Sequence, residues 1–367
     1  MTAKGFALLT CFLLAAAPVC AAPATPPAKI APQAAAKPAP PVAKPKPPVK
    51  AAIKAAPKAA PKAAPVKAAA SSPGFTGDNG SFPNGVSAKG GLVYMTVPDL
   101  PPLTLDLYQP KTTTPRPAIV FLHGGSWSAG DARHSHSFSD LPAALAALAA
   151  KGFVVASVNY RLSGQAKFPA PLQDVKSALR WLRSHAGEYG IDATRIMVWG
   201  EDAGGHLAAL AATSCGVGAF EPAAASTNSA TRLPSDCADG AIIWSGFADL
   251  AAISDAPTQA ALSFLMGCTS ADCAPGVMTA ASPISYINNM TPPFLIQHGE
   301  TDGIAPTAQA RDLADRLKAA GVPVELALHP NGHEMNGAAA MGRLVDFVSR
   351  TFPENKKPAK PAPKKKP

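Results

Sequence analysis

The stretch Val198-Trp199-Gly200-Glu201-Asp202-Ala203-Gly204-Gly205-His206 carries the densest chemical signal in the chain. A short apolar run, Ile196 to Trp199, enters Gly200-x-x-x-Gly204, and an Ala- and Leu-rich segment follows from Ala203 to about Thr213. That order predicts a strand, a tight turn and a helix, a nucleophile elbow with Asp202 at its apex. The flanking glycines are needed because a Cβ there would meet the neighbouring strand and helix, and the turn itself is strained. The helix N-terminus aims free N–H groups at any negative charge that develops there. Ser is the usual apex residue, yet no G-x-S-x-G occurs anywhere in this chain. Three further groups end apolar runs in the same way: His123-Gly124-Gly125 after Ala118 to Leu122, Asp302 after Phe294 to Gln297, and His333 after Val324 to Leu328.

The elements that must position these residues follow from periodicity. Leu92 to Val97 and Leu103 to Tyr108 alternate and read as a strand pair interrupted by prolines. Ala118 to Leu122, Phe153 to Val158, Arg195 to Trp199, Ala241 to Trp244, Phe294 to Gln297 and Val324 to Leu328 are short apolar runs, as buried parallel strands require. Leu141 to Lys151, Pro171 to Ala186, Ala203 to Thr213, Pro306 to Ala320 and Met341 to Thr351 read as helices. Strands alternating with helices predict a mainly parallel central sheet covered on both faces. Val217 to Asp239 and Phe247 to Pro292 fit this pattern less well. They are candidate pocket walls, or surface loops clipped by disulfides.

Composition divides the chain into four parts. Residues 1–21 read as a secretory signal: Lys4, the apolar run Phe6 to Ala17, and a small-residue cleavage site ending at Ala21. A lipid anchor on Cys20 is the rival, and Pro18-Val19 fits it poorly. Residues 22–72 are Pro, Ala, Lys and Val, a disordered, semi-extended tether, and 356–367 repeat that composition. Residues 73–355 are long enough for one substantial α/β domain. Of the 33 basic residues, 16 lie in the end segments, leaving 17 against 24 acidic residues in the middle. The overall charge of +9 therefore belongs to the ends. It fits contact with anionic envelope polymers or lipid head groups, or else a solubilising spacer. No aromatic is interleaved with the lysines, which argues against specific nucleic-acid binding. No later apolar run is long enough for a transmembrane segment, so the expected location is exported, either periplasmic or secreted. Four cysteines remain beyond the signal; an even number in an oxidising compartment points to disulfides, and 215–237 with 268–273 is the simplest connectivity. A metal site at Cys-x4-Cys lacks a companion His pair, and the lone His134-x-His136 is weak evidence for one. No cofactor or metal is expected.

Five motifs in order carry a resemblance over about residues 90–352: His123-Gly124-Gly125; Arg161-Leu162-Ser163 with Phe168-Pro169-Ala170 and Asp174-Val175; the elbow; His298-Gly299-Glu300-Thr301-Asp302; and His329-Pro330-Asn331-Gly332-His333. The chain resembles the α/β-hydrolase esterases of the hormone-sensitive-lipase and bacterial feruloyl-esterase-like kind, with Asp in place of the nucleophilic Ser. The resemblance implies an α/β-hydrolase fold. It implies an oxyanion hole from the N–H groups of Gly124, Gly125 and Ala203, and a catalytic set of Asp202, Asp302 and His333. Asp302 would orient His333, the base, in the chain order of this fold. Glu201 and His206 would be structural.

The departure is Asp202. A carboxylate attacking an ester carbonyl gives an anhydride, and its nucleophilicity is low. Carboxylate nucleophiles of this fold attack sp3 carbon instead, as in haloalkane dehalogenases and epoxide hydrolases. Here, however, Ala203 stands where the dehalogenases place a halide-holding Trp, and the Phe247 to Pro292 segment is short for their cap. The expected function is an exported hydrolase of small carboxylic esters, feruloyl/acetyl-esterase-like. The alternatives are an Asp-nucleophile hydrolase of epoxides or haloalkanes, and a catalytically inactive esterase relative that binds an ester or glycan.

Overall fold

The computed structural model describes residues 75–76, 79–221, 233–269, 271–335 and 337–353. The signal, the Pro/Ala/Lys linker and the basic tail lie outside the described residues. Among those residues, ten strands form one sheet in the order β1-β2-β3-β4-β6-β5-β7-β8-β9-β10. The first four, β1 (Phe75–Thr76), β2 (Asn79–Phe82), β3 (Val86–Met95) and β4 (Leu103–Gln109), pair antiparallel, and β4 pairs antiparallel with β6 (Val154–Val158). Every pairing beyond β6 is parallel, through β5 (Arg116–Leu122), β7 (Ile191–Glu201), β8 (Gly240–Trp244), β9 (Phe294–Gly299) and β10 (Val324–His329).

Burial explains the patterns that predict these strands. Every residue of β6, β8 and β9 is buried, so each reads as a mainly apolar run, with Ser157 in β6 and Gln297 and His298 in β9 as buried polar exceptions. β3 has water on one side and alternates. On one face, α2 (Ala170–Ser184), α4 (Asp202–Thr213) and α7 (Thr307–Ala319) contribute Leu179, Leu207 and Leu313 to a single apolar cluster. On the other, α1 (Leu141–Ala149) and α8 (Ala338–Thr351) contribute Leu145, Leu344 and Phe347. Asp140 caps α1 by accepting the Ala143 N–H at 3.0 Å.

Two parts of the fold depart from the sequence reading. The sheet begins before Leu92, because Phe75 and Phe82 pack with Tyr108 at ring separations of 5.7–6.0 Å and cover that edge. The mixed stretch from Phe247 contains a further helix, α5 (Ala256–Met266), capped by Asp255 through the Thr258 N–H at 2.9 Å. Its buried stripe is only Thr258, Leu262 and Leu265, too sparse to stand out as a helical period. Both predicted disulfides are present, Cys215–Cys237 and Cys268–Cys273.

The parallel register aligns the strand ends that carry the chemistry. Leu122 lies beside Gly200, and Glu201 beside Trp244. The loops after β5, β7, β9 and β10 therefore open on one edge of the sheet, the edge at which such folds bind ligands.

Candidate active site

The elbow forms because glycine alone fits its two flanks. A Cβ on Gly200 would lie 2.1 Å from the Gly204 carbonyl oxygen, and one on Gly204 would lie 2.0 Å from that of Leu122. Between them Asp202 sits at φ 50°, a left-handed conformation that costs a non-glycine residue about 1 kcal/mol or more. The turn directs the Asp202 side chain away from the sheet and towards the loop after β5.

There the carboxylate meets two donors. Asp202 Oδ2 accepts the N–H of Gly125 and that of Ser126, each at 2.9 Å. These donors are fixed by the loop: Gly125 has φ 108°, Ser126 49° and Trp127 58°. A Cβ on Gly125 would come within 2.3 Å of the Ala129 carbonyl oxygen. Of the expected oxyanion donors Gly124, Gly125 and Ala203, Gly125 is the one that meets the Asp202 carboxylate, and Ser126 joins it. Ala203 is buried at the first turn of α4, where a helix start leaves N–H groups without intrahelical partners.

His333 completes the arrangement. Its Nδ1–H donates to both Asp302 oxygens, at 3.0 and 2.9 Å, and its Nε2 lies 3.8 Å from Asp202 Oδ1. The Ser245 hydroxyl donates to the His333 carbonyl at 2.7 Å and so fixes the loop. Ser245 is buried at the end of β8 with φ 45°. Asp302 also accepts the N–H groups of Ile304 and Ala305, each at 2.9 Å, and faces His298 Nε2 at 3.2 Å. Burial alone would raise the Asp302 pKa, but the donors from His298 and His333 outweigh it and hold the carboxyl well below the ordinary range. Burial alone would lower His333, but the bond to Asp302 and the charges of Asp202, Asp302 and Glu201 outweigh it and raise its pKa.

The remaining sequence candidates support the loop. His206 accepts the Trp127 indole N–H at 3.1 Å through Nδ1, and its Nε2 meets the Ala281 carbonyl at 2.8 Å. That ties α4 to the loop after β5. Burial pulls the His206 and His123 pKa values down to about 4, so both are neutral near pH 7. Glu201 accepts the Ser135 hydroxyl at 2.5 Å. Burial pushes its pKa up, against hydrogen bonds from Ser135, Ser137 and Gly124. Arg161 and Asp174 form a buried fork-to-carboxylate pair at 2.6–3.0 Å, which accounts for those two motifs structurally.

Asp202 and His333 line a cavity of about 170 Å³, walled by Gly124 to Ser126, His136, Ser137, Glu201, Ile304 and Glu334. A wider cleft of about 470 Å³ continues along Ser135 to Ser139 and shares His136, Ser137 and Glu334 with it. Among the described residues no wall residue of these two cavities comes from Val217 to Asp239 or from Phe247 to Pro292, which fits the alternative of surface loops clipped by disulfides; the walls include the Ser135–Ser139 segment and the loops after β9 and β10. His134 faces Asp131 at 2.8 Å on the surface, whereas His136 lines the cavity. The sequence reading missed Ser126, Ser245 and His298. Ser126 adjoins the His-Gly-Gly motif, Ser245 directly follows β8 and His298 lies one residue from the end of β9, and those positions were the available signal.

Chemically the site holds a base, its orienting acid and two preorganised donors, all converging on one elbow side chain. The BD-FAE family model matches residues 105–317. The chain is similar to esterase LipQ of Mycobacterium tuberculosis, 32% identical over 252 residues that make up 65% of this chain and 55% of LipQ. It is also similar to esterase LipC of the same organism, 34% identical over 229 residues, 60% of this chain and 53% of LipC. The chain spans about half the length of these curated relatives. Among solved structures, a truncated carbohydrate esterase from gut microbiota aligns with TM-score 0.60 and 28% identity, covering 72% of this chain and 95% of that one. Native esterase Est2 of Thermogutta terrifontis aligns with TM-score 0.59 and 26% identity, covering 75% and 96%.

Proposed function

Because the chain belongs to the BD-FAE family of α/β hydrolases, we propose that it is an exported hydrolase of small carboxylic esters, of the feruloyl/acetyl-esterase kind, held at low turnover by Asp202. The observation that carries this reading is the convergence of His333 Nε2 and the Gly125 and Ser126 N–H groups on the Asp202 carboxylate. Those donors suit the oxyanion of an ester's tetrahedral intermediate, and His333 with Asp302 suits the base.

Asp202 Oδ2 occupies the oxyanion position in the resting site, so an ester carbonyl must displace it. Once it does, the elbow offers no hydroxyl for attack. A water then serves as nucleophile: His333 Nε2 takes its proton, the water oxygen bonds to the carbonyl carbon, and the proton passes to the departing alkoxide. Binding and oxyanion stabilisation alone typically leave a rate ~10³–10⁴ above water. The test is hydrolysis of p-nitrophenyl acetate by the full chain and by Asp202→Ser. The expected result is slow turnover by the native chain and a gain of about 10³-fold in the variant. No gain in Asp202→Ser overturns the reading in favour of an inactive relative that binds its ligand.

One observation favours a second reading. Asp202 Oδ1 has no hydrogen-bond donor among the described residues, so it retains its lone pairs. An unpaired carboxylate oxygen beside His333 suits attack on an epoxide or a haloalkane carbon. Against this, Oδ1 is closed off from solvent. A covalent ester trapped on Asp202 after exposure to an epoxide would establish this second reading.

A further inference from the structure

We propose that His298 is a positioning residue that fixes Asp302 against His333, so that the acid of the pair is held from both sides by imidazoles. This rests on the reading of Asp302 and His333 as the orienting acid and the base. His298 is the fifth residue of β9, fully buried, and its hydrogen bonds leave no freedom in its tautomer. Nε2 lies 2.8 Å from the Ala305 carbonyl oxygen and 3.2 Å from Asp302 Oδ2. Both neighbours are acceptors, so Nε2 carries the proton. Nδ1 is buried with no partner among the described residues, and a proton there would be an unsatisfied buried donor. His298 therefore donates one shared N–H.

The consequence lies at Asp302. Its Oδ1 is held by the Ile304 and Ala305 N–H groups. Among the described residues, only the imidazoles of His298 and His333 address Oδ2. His298 therefore stops the carboxylate from rotating about its Oδ1 anchor and keeps Oδ2 turned to the base. The charged groups facing His333 are Asp302 from the loop after β9, and Asp202 and Glu201 from the elbow. Glu334 is next to it in its own loop. None of these touches His298 except Asp302, so a change at His298 reaches His333 through that carboxylate.

The test compares His298→Gln with His298→Asn in the full chain. A Gln amide nitrogen can stand where Nε2 stands and keep the donor. An Asn amide reaches only the place of Nδ1 and removes it. The readout is the His333 imidazole titration followed by NMR, which needs no turnover. Losing the hold of His298 on Oδ2 lets the carboxylate turn and weakens its bond to His333, so in His298→Asn the His333 midpoint falls by about 0.5 pH unit or more, while His298→Gln stays near the native value. If Asn disrupts folding, His298→Leu removes the same donor at closer volume and carries the same expectation. An unmoved or raised midpoint in a folded donor-lacking variant, or a Gln variant that behaves like it, overturns the proposal. Absence of esterase activity in Asp202→Ser together with the expected titration shift would instead overturn the functional reading and leave this one standing.

Discussion

Asp202 Oδ2 accepts the Gly125 N–H at 2.9 Å, so the side chain at the apex of the elbow is itself the ligand of the donors opposite it. A hydroxyl at this position would stop short of those donors and leave them for a substrate oxygen. The extra length of a carboxylate carries one oxygen across the gap, where a second donor, the Ser126 N–H, meets it. The other oxygen remains on the His333 side at 3.8 Å. The same two donors that would meet a reacting oxyanion are thus already taken by the Asp202 side chain. That raises the cost of substrate entry without disturbing the fold around it.

Ser245→Ala is expected to loosen the base more than the fold. The lost hydroxyl bond to the His333 carbonyl is worth about 1 kcal/mol, measurable by urea unfolding. The alanine keeps the backbone at φ 45°, so no new strain arises beyond that already present. In the Asp202→Ser background, the same change should lower p-nitrophenyl acetate hydrolysis about tenfold or more, because small misplacements of a base cost rate steeply. An unchanged rate would mean that Ser245 does not hold the base in place.

Much of the frame is legible in the sequence, for physical reasons that can be located. Gly200 and Gly204 are obligatory because backbone oxygens lie where their Cβ atoms would be, and that constraint is printed directly in residue type. The strands of the parallel half are legible because burial on both faces demands continuous apolar runs. What escapes is orientation. Whether Gly124 or Ser126 turns its N–H to Asp202 depends on the φ values of Gly125 and Ser126, and a serine at 49° carries no compositional mark of that. The Ser135–Ser139 wall escapes for a related reason. Its role comes from Ser135 binding Glu201 across 66 residues of sequence. His298 reads as an ordinary strand residue until the loop after β9 folds Asp302 back over it.

The two disulfides should contribute unequally. Cys215–Cys237 spans 22 residues and Cys268–Cys273 spans 5. Loop-closure entropy predicts ~3 kcal/mol for the first and ~2 kcal/mol for the second. Packing widens the gap: Lys176, fully buried, donates to the Ser214 carbonyl at 2.7 Å and pairs with Asp236, so the long-span disulfide also pins a buried ion pair. Urea titration of Cys215→Ala/Cys237→Ala against Cys268→Ala/Cys273→Ala checks the order. Equal losses, or a larger loss from the short span, would contradict it.

The basic ends should act as a detachable electrostatic module. All 16 basic residues outside the middle segment lie within residues 1–72 and 356–367, while the middle carries more acid than base. Removing 22–72 and 356–367 from the chain should abolish retention on anionic vesicles at low salt. In the intact chain, that retention should weaken steeply as ionic strength rises. Any hydrolytic rate should stay the same. Retention of the trimmed domain at low salt would assign adhesion to the domain instead.

Asp202→Asn isolates the charge from the shape. The amide oxygen can still accept the Gly125 and Ser126 N–H groups, but the charge that helps raise the His333 pKa is gone. The amide nitrogen can also donate to a neutral Nε2, which favours the unprotonated imidazole further. The His333 midpoint should therefore fall relative to the native protein. The effect on stability follows from linkage. A group whose folded pKa is raised contributes stability that is fully present below its unfolded value, about 6.5 for His, and is lost as pH rises through the folded value. The native chain should then lose the His333 contribution between about pH 6.5 and its raised folded midpoint. In Asp202→Asn, Asp302 still supports the protonated form, so the contribution shrinks and is lost over a narrower range. Melting midpoints of both proteins, measured from pH 5 to 9, report this directly, since the other titrating groups are shared. The native chain should be favoured relative to the variant at the acid end, and that advantage should decline with rising pH. An advantage that grows with pH would mean that Asp202 does not act on His333 as a charge.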